Sequence, residues 1–256
     1  MPNSNWRDLD LPFSGAIREI RKLSGGRSND STLIQADGQH WVLRLGSSND
    51  SIFGIDRHSE EINLRLAAKA GIAPQVAFCS VAHGVLVTEF IDGTHWPADT
   101  LLNPEKLEIF KTLVYNLHAL QTPTRATDYY RHAESYWSQL VEARLNIPND
   151  TRALRDQVLE NKAATITKPA ATRLCHRDIT PSNVIEREGR LYLLDWEYAT
   201  RGEPSFDFAT IATEWLVSNE QLLKGTDISA AQLKSAQMLY RYTCQLWELL
   251  NATLIA

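Results

Sequence analysis

The stretch Leu174-Cys-His-Arg-Asp-Ile-Thr-Pro-Ser-Asn-Val-Ile185 holds a carboxylate, Asp178, and an amide, Asn183, on one loop that contains Pro181. Apolar residues on both flanks anchor that loop in a core, so the two polar groups can converge. The next apolar run, Leu191-Tyr-Leu-Leu-Asp-Trp-Glu-Tyr198, delivers Asp195 at the end of a strand. Glu197 shares its face if the strand continues, because alternate strand residues project to the same side. Together these residues supply a hard oxygen set suited to Mg²⁺, plus one carboxylate able to orient a hydroxyl. Each residue alone could instead cap a turn or close a strand. The ordered set His176, Asp178, Asn183, Asp195 favours chemistry, with His176 and Arg177 assigned to packing and loop support.

The elements that must position these groups fall into two textures. Ser31–Ala36 and His40–Leu45 are short β-type runs joined by Asp37-Gly38, a hairpin signal. Before them, Leu23-Ser-Gly-Gly-Arg-Ser-Asn-Asp30 is a polar loop whose backbone N–H groups could approach phosphate, although Gly-Gly also makes ordinary hairpin turns. Arg44 on the second strand reads, by itself, as a solvated strand residue. Ile55–Ala70 has helical apolar spacing with Gly71 as its stop, and Val85–Phe90 is a further strand ending at Asp92-Gly93. After Pro97 the pattern turns helical, with helices over Pro104–Leu120, Tyr129–Leu145, Thr151–Ala164 and Ala230–Leu250. The expected architecture is α+β: a β-rich lobe over 1–92, a mainly helical lobe over 93–256, and a ligand cleft between them.

Composition narrows the class further. The 256 residues carry a net charge of -5, which argues against a nucleic-acid partner and weakly favours a cationic one. Cys79, Cys175 and Cys244 are odd in number and far apart, so they read as reduced thiols of a cytoplasmic protein. Neither a secretory signal nor a bilayer-length apolar run is visible, so no membrane role is expected. The sequence lacks G-x-x-x-x-G-K-[ST] and a G-x-G-x-x-G between strand and helix, which removes P-loop and dinucleotide sites.

His176-Arg-Asp178-x-x-x-x-Asn183, followed by Asp195-Trp-Glu-Tyr, resembles the catalytic loop and metal-binding aspartate of kinases. Its form is similar to the aminoglycoside phosphotransferase and choline kinase superfamily, particularly the choline, ethanolamine and thiamine kinases. The resemblance implies a protein-kinase-like bilobal fold with ATP and Mg²⁺ as cofactors. It implies that Asp178 accepts the acceptor hydroxyl's proton, while Asn183 and Asp195 hold Mg²⁺ on the nucleotide phosphates. Glu197 would add a metal or substrate contact. Gly25, Gly26 and Asn29 match the family's nucleotide loop, and Arg44 stands where the family places its phosphate-binding residue, with a fork suited to phosphate oxygens. Glu60 is the expected partner of Arg44, with Glu61 as the alternative, because Ile55-Asp-Arg-His-Ser-Glu60-x-x-Asn63 resembles the bacterial choline kinase pattern. Thr88, Glu89, Phe90 and Ile91 would form the interlobe strand whose backbone hydrogen-bonds adenine.

The acceptor is expected to be a small-molecule alcohol, not a protein. Little chain separates Asp195 from Asp207, and no A-P-E motif follows, which leaves little room for an activation segment. Glu203-Pro-Ser-Phe-Asp207-Phe-Ala resembles the family's short link into a helix, with Asp207 bracing a loop at the helix start. By the same resemblance Tyr198, Glu214, Trp215, Tyr240 and Trp247 would surround a cationic alcohol, since aromatic faces stabilise cations by about 0.5–2 kcal/mol each. Aromatic residues at helical spacing equally make a core. An aminoglycoside acceptor is the enzyme alternative, weakened because Asn251-Ala-Thr-Leu-Ile-Ala256 carries no acidic cluster. A catalytically silent kinase-like binding module is the alternative from another class, weakened because each polar catalytic position is filled by a competent residue. The acceptor's identity, ATP versus GTP, and the oligomeric state stay open in the sequence.

Overall fold

The Asp37-Gly38 turn adopts the conformation its residues favour, with φ of 50° and 76°, both in the left-handed region. Around it β2 (Asp30–Ala36) and β3 (Gln39–Leu45) pair antiparallel, after β1 (Arg18–Lys22) and with Ala36 opposite Gln39. The computed structural model describes residues 6–23, 30–47, 49–165 and 172–255. Packing divides the chain into two compact units, Met1–Trp96 with Ser182–Ala199, and Pro97–Pro181 with Thr200–Ala256.

In the first unit the short helix α1 (Asp50–Phe53) is followed by α2 (Arg57–Lys69), β4 (Val76–Ser80) and β5 (Val85–Glu89). The sheet order is β1-β2-β3-β5-β4, antiparallel throughout. Ile34, Leu43, Val85 and Val87 are buried together with Trp6 and Leu11, so this sheet has a core of its own. The helix predicted from Ile55 starts later, at Arg57. Asp56 accepts from the His58 and Ser59 N–H groups at 3.1 and 3.3 Å, which satisfies two amides a helix start leaves open.

A second hairpin, Val184–Arg187 with Arg190–Leu193, gains Thr94–His95 as an edge strand. Gly93 is required beside it, because a Cβ there would lie 2.4 Å from the Glu186 carbonyl oxygen. The segment Ser182–Ala199, grouped in the sequence with the helical lobe, therefore packs with the first unit. Its pairing with Thr94–His95 and the Leu193 N–H donated to the Ile72 carbonyl at 2.8 Å hold it there.

The second unit carries α3 (Pro104–Ala119), α4 (Tyr129–Glu142), α5 (Asn149–Thr165), α6 (Ser205–Glu214), α7 (Asn219–Leu223) and α8 (Ala230–Ile255). Two strands, Arg173–Cys175 and Thr200–Gly202, pair antiparallel within it. In α3 the Asn103 side chain caps the first turn and Pro104 sits at its start, where a missing N–H costs nothing. Leu107, Phe110, Leu113, Val114 and Leu117 form its buried stripe, and truncating Phe110 to alanine should cost about 3–5 kcal/mol. The long helix α8 packs against α4, α5 and α6 through a face that includes Leu233, Leu239, Tyr242 and Leu246. The architecture is α+β, with antiparallel sheet in the first unit and helices in the second. Among the described residues, no helix is long and apolar enough to cross a membrane.

Candidate active site

Arg44, on β3, is chelated by Glu60 from the first turns of α2, with Nη1 to Oε1 at 2.5 Å and Nη2 to Oε2 at 2.6 Å. A planar fork meeting a carboxylate in this way is fixed in direction as well as charge. Glu60 is 3% exposed. Burial pushes its carboxyl up, but the neighbouring Arg44 and Arg57 guanidiniums outweigh that effect and hold it below the usual carboxylate range. Glu61 instead accepts from Arg65 at 3.0 Å on the outer side of the helix. Arg57, one helical turn before Glu60, donates to Glu60 at 2.8 Å and to Asp50 at 2.6 and 2.8 Å.

Asn183 and Asp195 stand at the same end of the second hairpin. Val184 and Leu193 are paired residues, Asn183 directly precedes that pair, and the Leu194 N–H donates to the Asn183 carbonyl at 2.9 Å. The strand stops at Leu193, however, and Asp195 has a φ of 57°. The alternation that would set Glu197 on the Asp195 face therefore does not hold. Trp196 anchors the turn, 1% exposed, with its indole N–H donated to the Leu193 carbonyl at 2.9 Å. Asp195 Oδ1 lies 3.8 Å from Arg44 Nη1, whereas Glu197 is buried and accepts from Arg57 at 3.3 Å. The amide of Asn183 and the carboxylate of Asp195 are hard oxygen donors of the kind Mg²⁺ takes, so the donor set fits that ion. Tyr198 is half-buried in the following turn.

The nucleotide-loop residues Gly25, Gly26 and Asn29 lie outside the described residues. In β5, Thr88 pairs with Val42 and Val76, the Glu89 N–H donates to the Gln75 carbonyl at 2.8 Å, and the Phe90 N–H donates to the His40 carbonyl at 3.2 Å. The Glu89 and Phe90 N–H groups are thus engaged by the protein's own backbone, which leaves the carbonyls of this segment and the Ile91 N–H as the groups an adenine could meet. The Glu89 side chain accepts from Arg187 at 2.6 Å, and Ile91 is buried beside Ile185 and Tyr192.

In the second unit the loop carrying Asp178 is braced from two sides. Asp207, near the start of α6 and 0% exposed, accepts from the His176 N–H at 3.1 Å, the Arg177 N–H at 2.7 Å and His118 Nε2 at 2.8 Å. Trp215 donates its indole N–H to the Ile179 carbonyl at 2.8 Å. It is 3% exposed, packed on Phe110 with ring centroids 4.8 Å apart. This corrects its expected place around an acceptor. Helix α6 ends at Glu214, and the extended backbone at Trp215 turns the ring into the core.

Glu214 itself is exposed and accepts from the Tyr240 hydroxyl at 3.1 Å. Burial first, then the Cys244, Glu214 and Asp178 charges, push the Tyr240 hydroxyl up. Burial likewise pushes the Cys244 thiol up to about 12, with Glu214 and Asp178 adding to it against a hydrogen bond from Tyr240. Asp178, Glu214, Tyr240 and Cys244 therefore share one anionic neighbourhood, with Trp247 half-buried farther along α8. The residue pattern did not single out Arg57 or His118. Arg57 carries one signal, a cation in the first turn of a helix, where the macrodipole disfavours it.

A sheet unit holding an Arg–Glu pair beside a hairpin-end aspartate, and a helical unit holding a braced loop aspartate, define a protein-kinase-like phosphotransferase. The family model described as "Phosphotransferase enzyme family" matches residues 19–234, and the chain belongs to that family. Protein LicA of Haemophilus influenzae is 28% identical over 213 residues, which cover 82% of this chain and 60% of that protein. The chain thus aligns with less than two thirds of that relative's length. A thiamine kinase of Escherichia coli O157:H7 is 24% identical over 235 residues, covering 92% of this chain and 77% of the relative. In fold, the chain is similar to the choline kinase LicA from Streptococcus pneumoniae, with a TM-score of 0.76 and 21% identity over 92% of this chain and 84% of that one.

Proposed function

We propose that this protein is an ATP- and Mg²⁺-dependent kinase that phosphorylates the hydroxyl of a small cationic alcohol of the choline, ethanolamine or thiamine type. The observation that carries this reading is the position of the Arg44 guanidinium, chelated by Glu60 and 3.8 Å from the Asp195 carboxylate. A fixed cation next to a metal-type carboxylate is what a triphosphate and its divalent ion require together. Asn183 and Asp195 would hold Mg²⁺, which when bound neutralises charge on the phosphate oxygens. Arg44, with its fork held by Glu60, contributes its charge and remaining N–H groups to the same oxygens. Asp178 takes the proton from the acceptor hydroxyl as that oxygen attacks the γ-phosphorus, and the bond to ADP breaks as the new phosphate ester forms.

The second unit supports the proposed acceptor class. Glu214 accepts from the Tyr240 hydroxyl at 3.1 Å, and Asp178 adds negative charge to the same neighbourhood, a setting that attracts a cation. The three thiols are unpaired, which suits a cytoplasmic setting.

ATP consumption measured against choline, ethanolamine, thiamine, homoserine and kanamycin tests both halves of the reading. One of the first three should support turnover. Asp178→Ala should lower kcat by roughly 10²–10⁴-fold while leaving nucleotide affinity within about twofold. Equal turnover in that variant would remove Asp178 from the mechanism, and activity with kanamycin alone would replace the acceptor class.

A further inference from the structure

Arg57 occupies a position that helix energetics argue against. Asp56 caps α2, so Arg57 is the first residue of the helix, at the end where the macrodipole favours anions. Its side chain is nonetheless largely buried, and it is shared among three segments of the first unit. It meets Asp50 through two bonds at 2.6 and 2.8 Å, Glu60 at 2.8 Å and Glu197 at 3.3 Å. Glu197 lies in the turn that begins at Asp195, and its side chain is 3% exposed. A buried carboxylate left without a cation or hydrogen-bond partner is costly, and Arg57 supplies that partner. The turn itself holds Asp195 in the left-handed region, at a φ of 57°, a conformation that persists only where neighbouring contacts over-determine it.

From these contacts we infer that Arg57 is a positioning residue for the metal turn. It grips Glu197 and so fixes the direction in which Asp195 presents its carboxylate, while the same guanidinium steadies the Glu60 partner of Arg44. Glu197 on this view acts through Arg57 as a support behind Asp195, not as a ligand. This rests on the kinase reading given above, since it needs a divalent ion and a nucleotide to position. Lysine cannot replace the function, because a single ammonium cannot span three carboxylates that a planar fork reaches together.

The test is a double-mutant cycle read by equilibrium binding of ADP to the full chain, with and without Mg²⁺. Arg57→Met and Glu197→Gln are made singly and together, with Arg57→Lys as the charge-conserving variant. Thermal unfolding without ligand reports any loss of fold separately. Support groups behind a metal ligand usually change metal affinity by about 10–100-fold when removed. Arg57→Lys and Arg57→Met should each weaken Mg²⁺-dependent ADP binding by about 10-fold and leave Mg²⁺-free binding within about twofold. The double variant should be no weaker than Arg57→Met, because both changes break one link. Additive losses in the double variant, or equal Mg²⁺-dependent binding in Arg57→Lys and the unaltered chain, would overturn the inference. Should Arg57→Met fail to fold, Arg57→Lys with Glu197→Gln completes the cycle. If the unaltered chain binds ADP equally with and without Mg²⁺, the kinase reading falls first and takes this inference with it.

Discussion

Glu60 in the first unit and Asp207 in the second are both almost fully buried carboxylates, at 3% and 0% exposure, yet their surroundings differ in kind. Glu60 is held by Arg44 and Arg57, side-chain cations that also face Asp50, Asp195 and Glu197. Asp207 is held mainly by backbone, the His176 and Arg177 N–H groups, with His118 as a third donor. Ion pairs between side chains can exchange partners when a new charge arrives, whereas backbone donors cannot move without moving the chain. The first cluster is thus suited to receive a phosphate, and the second to keep the Asp178 loop where it is. Within one protein, buried negative charge is held by side-chain cations in one place and by backbone donors in the other.

The sharpest way to break this contrast is to neutralise both carboxylates with isosteric amides. Asp207→Asn sets an NH₂ group against backbone donors, and a buried donor without a partner costs about 1–3 kcal/mol. A loss of roughly 3 kcal/mol lowers Tm by about 6–12 °C in a chain of this size. Glu60→Gln should cost less, about 1–2 kcal/mol, because the amide oxygen can still accept from one arginine while Asp50, Asp195 and Glu197 keep facing the two guanidiniums. Its larger effect should be on KM for ATP. Differential scanning calorimetry of the two variants decides the matter, and equal losses would mean that Glu60 too is mainly a brace.

A smaller effect concerns a histidine buried beside Arg177 of the Asp178 loop. His132 in α4 is driven down to about 3, first by burial and then by Arg177, from an ordinary value of 6.5. A depressed folded value means the unfolded chain takes up the proton first as pH falls below 6.5, so stability is lost from there towards pH 3. At pH 5 the loss should be on the order of 2 kcal/mol, and His132→Gln should remove most of it. Urea titrations at pH 7 and pH 5 measure both slopes; an unchanged pH dependence would place His132 in contact with water.

The smallest effect tests whether the second unit's recognition surface is separate from its brace. Trp247→Ala should raise KM for the acceptor about fivefold, with kcat and KM for ATP little changed, if its ring faces the cation. Steady-state kinetics with the acceptor found in the panel give the answer. An unchanged acceptor KM would assign Trp247 to packing, as Trp215 already is.

Much of this was legible in the sequence because it is local. The Asp37-Gly38 hairpin, the Asn103-Pro104 helix start and the α3 stripe each depend on neighbours within a few residues. The order of Asp178, Asn183 and Asp195 on one loop and one hairpin is likewise short-range, whereas the preference for Glu60 over Glu61 came from the resemblance of Ile55–Asn63 to the bacterial choline kinase pattern. The expected strand alternation beyond Leu193 failed because Asp195 enters the left-handed region, which periodicity does not register.

Composition, the element pattern and the oxygen-donor set of the Asp178 loop and Asp195 follow from the sequence itself, through local conformational preference and side-chain chemistry, whereas Arg44 and Glu60 were picked out only by the family resemblance. Tertiary structure alone decided which side chains meet. Arg57 reaches Glu197 across 140 positions, Asp207 reaches the Asp178 loop across 30 and 31, and Trp215 turns inward to the Ile179 carbonyl across 36. Contacts at such separations depend on how whole elements pack, and no residue's own preference specifies them.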